Sequence, residues 1–143
     1  MSAKIVFLTG PLSHVSVYLL LDCRSVYNSS SKADGVYSIY LAKPSISMNV
    51  FCDMTANHIG WIVIQRRIGS SVEFYHDWQA YKNGFGDMSG NMWIGLDKIH
   101  HLAGPGRRVI LRFDLKDRNN ATKLYYAEYT TFEVGSDTEK YKL

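Results

Sequence analysis

The sequence predicts an α+β domain, a twisted and mainly antiparallel sheet with short helices along its flanks. Short apolar or alternating segments recur along the chain, each bounded by Gly, Pro, Asn, Asp or Ser, and read as strands. Brief helical segments start at acidic residues placed as N-caps. The stretch from Asp77 to Asp97 interleaves Trp78, Tyr81, Phe85 and Trp93 with Gly84, Gly86, Gly90 and Gly95. Aromatics supply much buried area per residue, and interleaved glycines let backbone pass close to the rings. That pattern reads as framework, with Trp78 and Trp93 in the core.

The elements follow in chain order. Residues 1–21 form a leader that stays unassigned, a degenerate signal sequence being one alternative. Lys4 precedes Ile5-Val-Phe-Leu8, Thr9-Gly-Pro11 interrupts, and Val15 to Leu21 runs straight into Asp22-Cys23. A signal peptide needs an unbroken apolar region followed by a small-residue cleavage site. A membrane span needs about 20 apolar residues without an internal Gly-Pro. Asp22 caps a helical turn over Cys23–Asn28 with Val26 and Tyr27 inward, and Val36–Tyr40 and Met48–Met54 read as strands. Trp61-Ile-Val-Ile-Gln-Arg-Arg67 reads as a strand buried on both faces at its apolar start.

Asp77 is placed to cap Trp78–Asn83, and Gly84 to end it. Met92–Leu96 reads as a buried strand, and Asp97 as the cap of a second helix, Lys98–Leu102. Gly104-Pro-Gly106 breaks the chain. Arg107–Leu115 then alternates Val109, Leu111, Phe113 and Leu115 on one face, and Lys123–Val134 returns, the clearest hairpin in the sequence. Tyr141-Lys-Leu143 is expected to open a further strand.

Gly60-Trp61 through Arg67, Phe74-Tyr75, Trp78-x-x-Tyr81-Lys82-x-Gly84-Phe85-Gly86 and Trp93-Ile-Gly95-Leu96-Asp97-Lys98-Ile99-His100 resemble the fibrinogen C-terminal domain. That family includes fibrinogen chains, ficolins, tachylectins, tenascins and angiopoietins. The resemblance covers residues 22–143 and implies a partial fibrinogen C-terminal-like domain. It implies a non-enzymatic extracellular recognition module, lectin-like and directed at glycans or patterns. The alternative is part of a secreted ligand or matrix protein of the angiopoietin or tenascin kind, binding a receptor. In the family a calcium loop, a second disulfide and the ligand pocket follow the Tyr-Lys-Leu strand. No position here matches those motifs, so the chain is expected to lack the calcium- and ligand-binding subdomain and to supply scaffold. No cofactor and no ligand-binding residue is therefore assigned within it.

Composition narrows the function classes. Of 143 residues, 46% are hydrophobic and 13% aromatic, enough for a packed core, and a net charge of +3 argues for no nucleic-acid partner. Two cysteines, Cys23 and Cys52, could by spacing alone be free thiols, a bridge or half of a metal site; no histidine lies near either at a familiar zinc spacing. The resemblance implies that they form a disulfide, hence a secreted, extracellular location. Asn28-Ser-Ser and Asn120-Ala-Thr are sequons, so Asn28 and Asn120 are candidate glycosylation sites.

Asp114-x-x-Asp117-x-Asn119-Asn120 gathers oxygen ligands, but without a bidentate acid or a loop glycine it reads as a hairpin turn, not a calcium site. His100 and His101 are adjacent, about 100° apart on a helix, and do not readily chelate one ion. No nucleophile elbow, phosphate loop or metalloprotease helix is present. No catalytic residue and no metal ligand is assigned. Expected partners are glycans or cell-surface and matrix proteins, with no membrane span and with self-association through open strand edges.

Overall fold

A computed structural model describes residues 2–9, 20–29, 31–41, 44–117, 119–120 and 122–143. Strand β1, Ser2–Thr9, is followed by helix α1, Cys23–Ser29, and by strands β2, Gly35–Leu41, and β3, Ile46–Asp53. A short 3-10 turn at Ala56–His58 leads to β4, Trp61–Arg67. Helix α2, Trp78–Asn83, precedes two-residue strands β5, Phe85–Gly86, and β6, Met92–Trp93. Helix α3, Leu96–Ala103, and the hairpin of β7, Val109–Lys116, and β8, Leu124–Tyr129, follow, and a 3-10 segment at Asp137–Glu139 comes last.

The described strands form one antiparallel sheet in the order β2-β3-β4-β1-β7-β8, with β6 pairing both β4 and β5. The α+β expectation holds. Local signals placed most elements well. Asp22 caps α1 by accepting from Ser25 N at 2.7 Å, and Asp77 caps α2 by accepting from Ala80 N at 2.9 Å. Trp61, Ile62, Val63 and Ile64 are all buried, as a strand enclosed on both faces requires. The β7–β8 hairpin pairs Leu111 with Tyr129 and Lys116 with Leu124.

Four expectations are corrected. Trp78 is 56% exposed and rests against the Tyr141 ring at 6.0 Å, so the buried tryptophan is Trp61, at 1%. The segment 92–96 is strand only over Met92–Trp93, because the chain already turns at Gly95 into α3. Gly95, not Asp97, is the N-cap residue of α3; Asp97 lies in the first turn and receives the Tyr141 hydroxyl. Residues 141–143 form no strand. Tyr141 is buried in a turn behind a 3-10 segment, Asp137–Glu139, whose Ser136 and Glu139 make a capping box.

Strand β1 comes from the leader that the sequence leaves unassigned. It lies between β4 and β7 and pairs with both, and Val6 is fully buried. The core runs from Val6, Val26 and Ile39 through Val50, Trp61 and Val63 to Ile99 and Leu102. Gly60 shows how tightly α1 is held against the start of β4. Its φ is +76°, and a Cβ there would sit 2.3 Å from the Cys23 carbonyl oxygen. Only glycine fits such a position without moving backbone.

Candidate functional site

Cys23 and Cys52 are joined in a disulfide, their Cα atoms 5.5 Å apart and both residues fully buried. The bond ties α1 to β3 across 29 residues of chain. Both sequon asparagines are exposed. Asn28 sits in the last turn of α1, on the outside of the helix whose Val26 faces inward. Asn120 lies in the turn of the β7–β8 hairpin, where its Oδ1 accepts from Thr122 N at 3.2 Å and Thr122 Oγ1 at 2.6 Å.

The charged residues that sequence reasoning passed over gather on one face of the sheet. Alternation puts Lys4 opposite Asp114 and Val6 opposite Arg112 across the β1–β7 pairing. Lys4 ion-pairs with Asp53 and lies 3.6 Å from Asp114 Oδ2. Asp53 Oδ1 is taken by Thr55 N at 2.9 Å, Thr55 Oγ1 at 2.9 Å and Ala56 N at 3.0 Å. Arg112 donates from Nε to Asp114 at 2.8 Å and from Nη1 to Glu128 at 2.8 Å, and its guanidinium lies over the Tyr126 ring at 4.4 Å.

Asp53, Arg112 and Asp114 are buried, so the network holds charge away from water and must balance it internally. Burial pushes the Lys4 ammonium below its usual pKa, against the raising pull of Asp114 and Asp34. Burial also opposes the charge of Arg112, but its hydrogen bonds to Asp114 and Glu128 win and raise it. These residues border a cavity of about 540 Å³ that also takes in Phe51, Arg66 and Leu124. Arg66 is held by its Nε bond to Gly90 O at 2.7 Å, with its guanidinium over the Phe51 ring.

Chemically, the face offers cations and aromatic edges. Among the described residues, its carboxylates receive cations or backbone donors. A strand alternating apolar residues with Arg112 and Asp114 was the available signal, but their partner Lys4 lay in the unassigned leader. The oxygen-rich hairpin residues are not brought together around one point. Asp114 serves Arg112 and Lys4, Asp117 accepts from Asn119 N at 2.8 Å, and Asn120 serves Thr122. Among the described residues, no group of three or more His, Cys, Asp and Glu side chains could hold a metal ion. His100 Nδ1 lies 2.8 Å from the Val134 carbonyl, and the two histidine rings lie 5.8 Å apart.

A second cluster is aromatic. Tyr81 meets Phe85 edge-on at 5.1 Å, Phe74 meets Phe85 at 5.1 Å, and Trp93 Nε1 donates to the Tyr81 carbonyl at 2.7 Å. These rings brace α2 and β5 against β6, as the framework reading requires. Leu124, Tyr125, Tyr126 and Tyr129, by contrast, are all more than half exposed along the edge strand β8.

The family model for the C-terminal globular domain of fibrinogen beta and gamma chains matches residues 19–143. The chain belongs to the fibrinogen C-terminal domain family. Ryncolin-4 of Cerberus rynchops is 43% identical over 122 residues, which cover 85% of this chain and 34% of that protein. Angiopoietin-related protein 7 of Bos taurus is 37% identical over 136 residues, 92% of this chain and 38% of that one. The solved fibrinogen-like globe domain of human ANGPTL2 superposes with a TM-score of 0.78 at 32% identity, covering 85% of this chain and 55% of the solved one. The chain thus spans little more than a third of these curated relatives. Among its described residues, no helix is long and apolar enough to cross a membrane. The family match begins at residue 19, so β1 lies outside it and inside the sheet.

Proposed function

We propose that the chain supplies the scaffold portion of an extracellular, non-enzymatic recognition module of the fibrinogen-related type, lectin-like and directed at glycans or repeated surface patterns. The buried Cys23–Cys52 disulfide carries the extracellular part of this reading, since such bonds persist in oxidising compartments. Family membership supports the recognition role, and the committed carboxylates of the charged face support a role without catalysis. Residues 22–143 form the partial domain in this reading, and exposed Asn28 and Asn120 are its glycan acceptors in the secreted protein. A second reading, part of a secreted ligand or matrix protein that binds a receptor, is favoured by the likeness to angiopoietin-related protein 7 and to the ANGPTL2 globe domain.

A chimera tests the scaffold role. Residues 22–143 replace the corresponding stretch of a ficolin-type relative that binds acetylated sugars. The chimera is expected to be secreted, disulfide-bonded and retained on acetylated resin in calcium. A chimera that folds, shown by cooperative melting, yet loses retention overturns the lectin-type reading. Saturable capture by a receptor ectodomain in the same format would favour the second.

A further inference from the structure

Among the described residues, the cavity on the charged face is bordered by four cations, Lys4, Arg66, Arg112 and Lys116, and by three carboxylates, Asp34, Asp53 and Asp114. Lys4 and Arg112 are spent within the sheet, on Asp53, Asp114 and Glu128. Arg66 and Lys116 are not. Neither forms an ion pair among the described residues, and Arg66 makes a single hydrogen bond there, from Nε to Gly90 O. Asp34 accepts from Met54 N at 2.7 Å through Oδ1. The groups that border the cavity thus leave one positive charge unbalanced.

Arg66 is also held in aim. Register places it opposite Lys4, and Lys4 opposite Asp114, so the three stand in one row across β4, β1 and β7. The Nε bond and the stacking of the guanidinium on the Phe51 ring, 4.1 Å away, fix the side chain without using its two Nη groups. A guanidinium fixed this way presents paired planar donors, which suit a carboxylate or a sulfate. Burial lowers the Arg66 pKa, a cost that an anion beside it would offset; Asp34 and Asp87 do so in part. Lys116 lies two residues beyond Asp114 in β7, hence on the same face, and is exposed.

The rest of the lining says what carries the anionic group. A volume of about 540 Å³ has room for a body well beyond a single anion. The Asn57 amide and Asp34 Oδ2 offer partners for hydroxyls, and Ile68 and Leu124, both more than half exposed, offer apolar patches for the face of a sugar ring. The one aromatic ring in the lining, Phe51, is covered by Arg66, which leaves no open face on which a nucleotide base could stack.

The geometry points to an anion-binding site at Arg66 and Lys116 that takes a saccharide bearing one carboxylate or sulfate group. The group sits on the Arg66 Nη atoms, Lys116 adds charge, and ring hydroxyls turn to Asn57 and Asp34. Lys4 keeps Asp53 and Asp114 from repelling the ligand, and it lies in β1, outside the family match. The saccharide body rests on the glycan-directed reading above; the preference for an anion rests on the side chains alone.

The full chain is titrated, without calcium, with galactose 6-sulfate, glucuronate, galactose and sodium sulfate, and its amide shifts are followed by NMR. Both acidic sugars are expected to saturate and to move the amides of Asn57, Ile68 and Leu124. Galactose and sodium sulfate should each bind about tenfold more weakly than galactose 6-sulfate, since each lacks one half of the ligand. Arg66→Lys keeps the charge but removes the fork, and should weaken galactose 6-sulfate about tenfold. Lys116→Gln, at an exposed position, should weaken it about threefold and decides the matter if Arg66→Lys does not fold. Equal affinity for galactose and its sulfate, equal affinity for sodium sulfate and the sulfated sugar, or unchanged affinity in folded Lys116→Gln overturns the inference. Neither calcium nor acetylated resin enters this titration, so its failure leaves the lectin-type reading standing, and failure of the chimera leaves the titration untouched.

Discussion

The hydroxyl of Tyr141 donates a hydrogen bond to the carboxylate of Asp97. This pair fastens the turn at the end of the chain to the first turn of α3, and Tyr141 is buried behind the exposed Trp78 ring. Burial raises the Tyr141 pKa well above the ordinary tyrosine value, and the Asp97 carboxylate adds to the rise. A raised folded-state pKa contributes stability that is complete below the unfolded value, about 10, and is lost as pH climbs beyond it. Tyr141→Phe is expected to cost about 1.5–3 kcal/mol at pH 7, the range for a hydrogen bond to a charged group. It should also flatten the loss of stability above pH 10. Urea unfolding of both proteins at neutral and alkaline pH checks the sign; an equal alkaline slope would remove Tyr141 from the account.

The tryptophans should separate by burial. Trp61 is 1% exposed and donates from Nε1 to the Ala56 carbonyl at 3.0 Å, so Trp61→Ala should cost about 3–5 kcal/mol. Trp78, more than half exposed and resting against the Tyr141 ring, should cost about 1 kcal/mol when truncated. Thermal melts of the two variants rank them directly, and the reverse order would contradict the packing described.

Cys23 and Cys52 should show no free thiol in denatured, unreduced material. Replacing both by serine should cost about 3–4 kcal/mol in the chain-entropy account of a loop this long. Two titratable thiols would remove the cross-link.

Strand β8 should make the chain self-associate. All six of its residues are exposed, it forms an edge of the sheet, and its tyrosines are uncovered. Open, apolar edges pair with other chains, and a charge on them opposes it. Light scattering should show mass rising with concentration, and Tyr125→Lys should suppress that rise. A monomer at every concentration would mean that the edge is protected.

Legibility in the sequence followed the range of the interaction. Asp22 and Asp77 were readable as caps because the donors they serve lie three residues away. The β7–β8 hairpin was readable because alternation and turn residues sit side by side. Trp78 was misread because its type predicts burial, whereas its exposure depends on what α2 packs against. Strand β1 was missed because Ile5-Val-Phe-Leu8 gains meaning only from β4 and β7, which arrive much later in the chain. Lys4 likewise looks like an ordinary leader charge until folding brings Asp53 and Asp114 to it. The charged face could not be read for the same reason.

We propose that the acidic residues of this chain hold its fold together and serve no calcium-dependent site of their own. Isothermal titration of the purified chain with calcium, followed by retention on acetylated resin, tests it most directly. The account predicts no stoichiometric calcium uptake and no calcium-dependent retention, because Asp53, Asp114, Asp117 and Asn120 already serve Lys4, Arg112 and backbone or hydroxyl donors nearby. Stoichiometric uptake together with retention on the resin would contradict it.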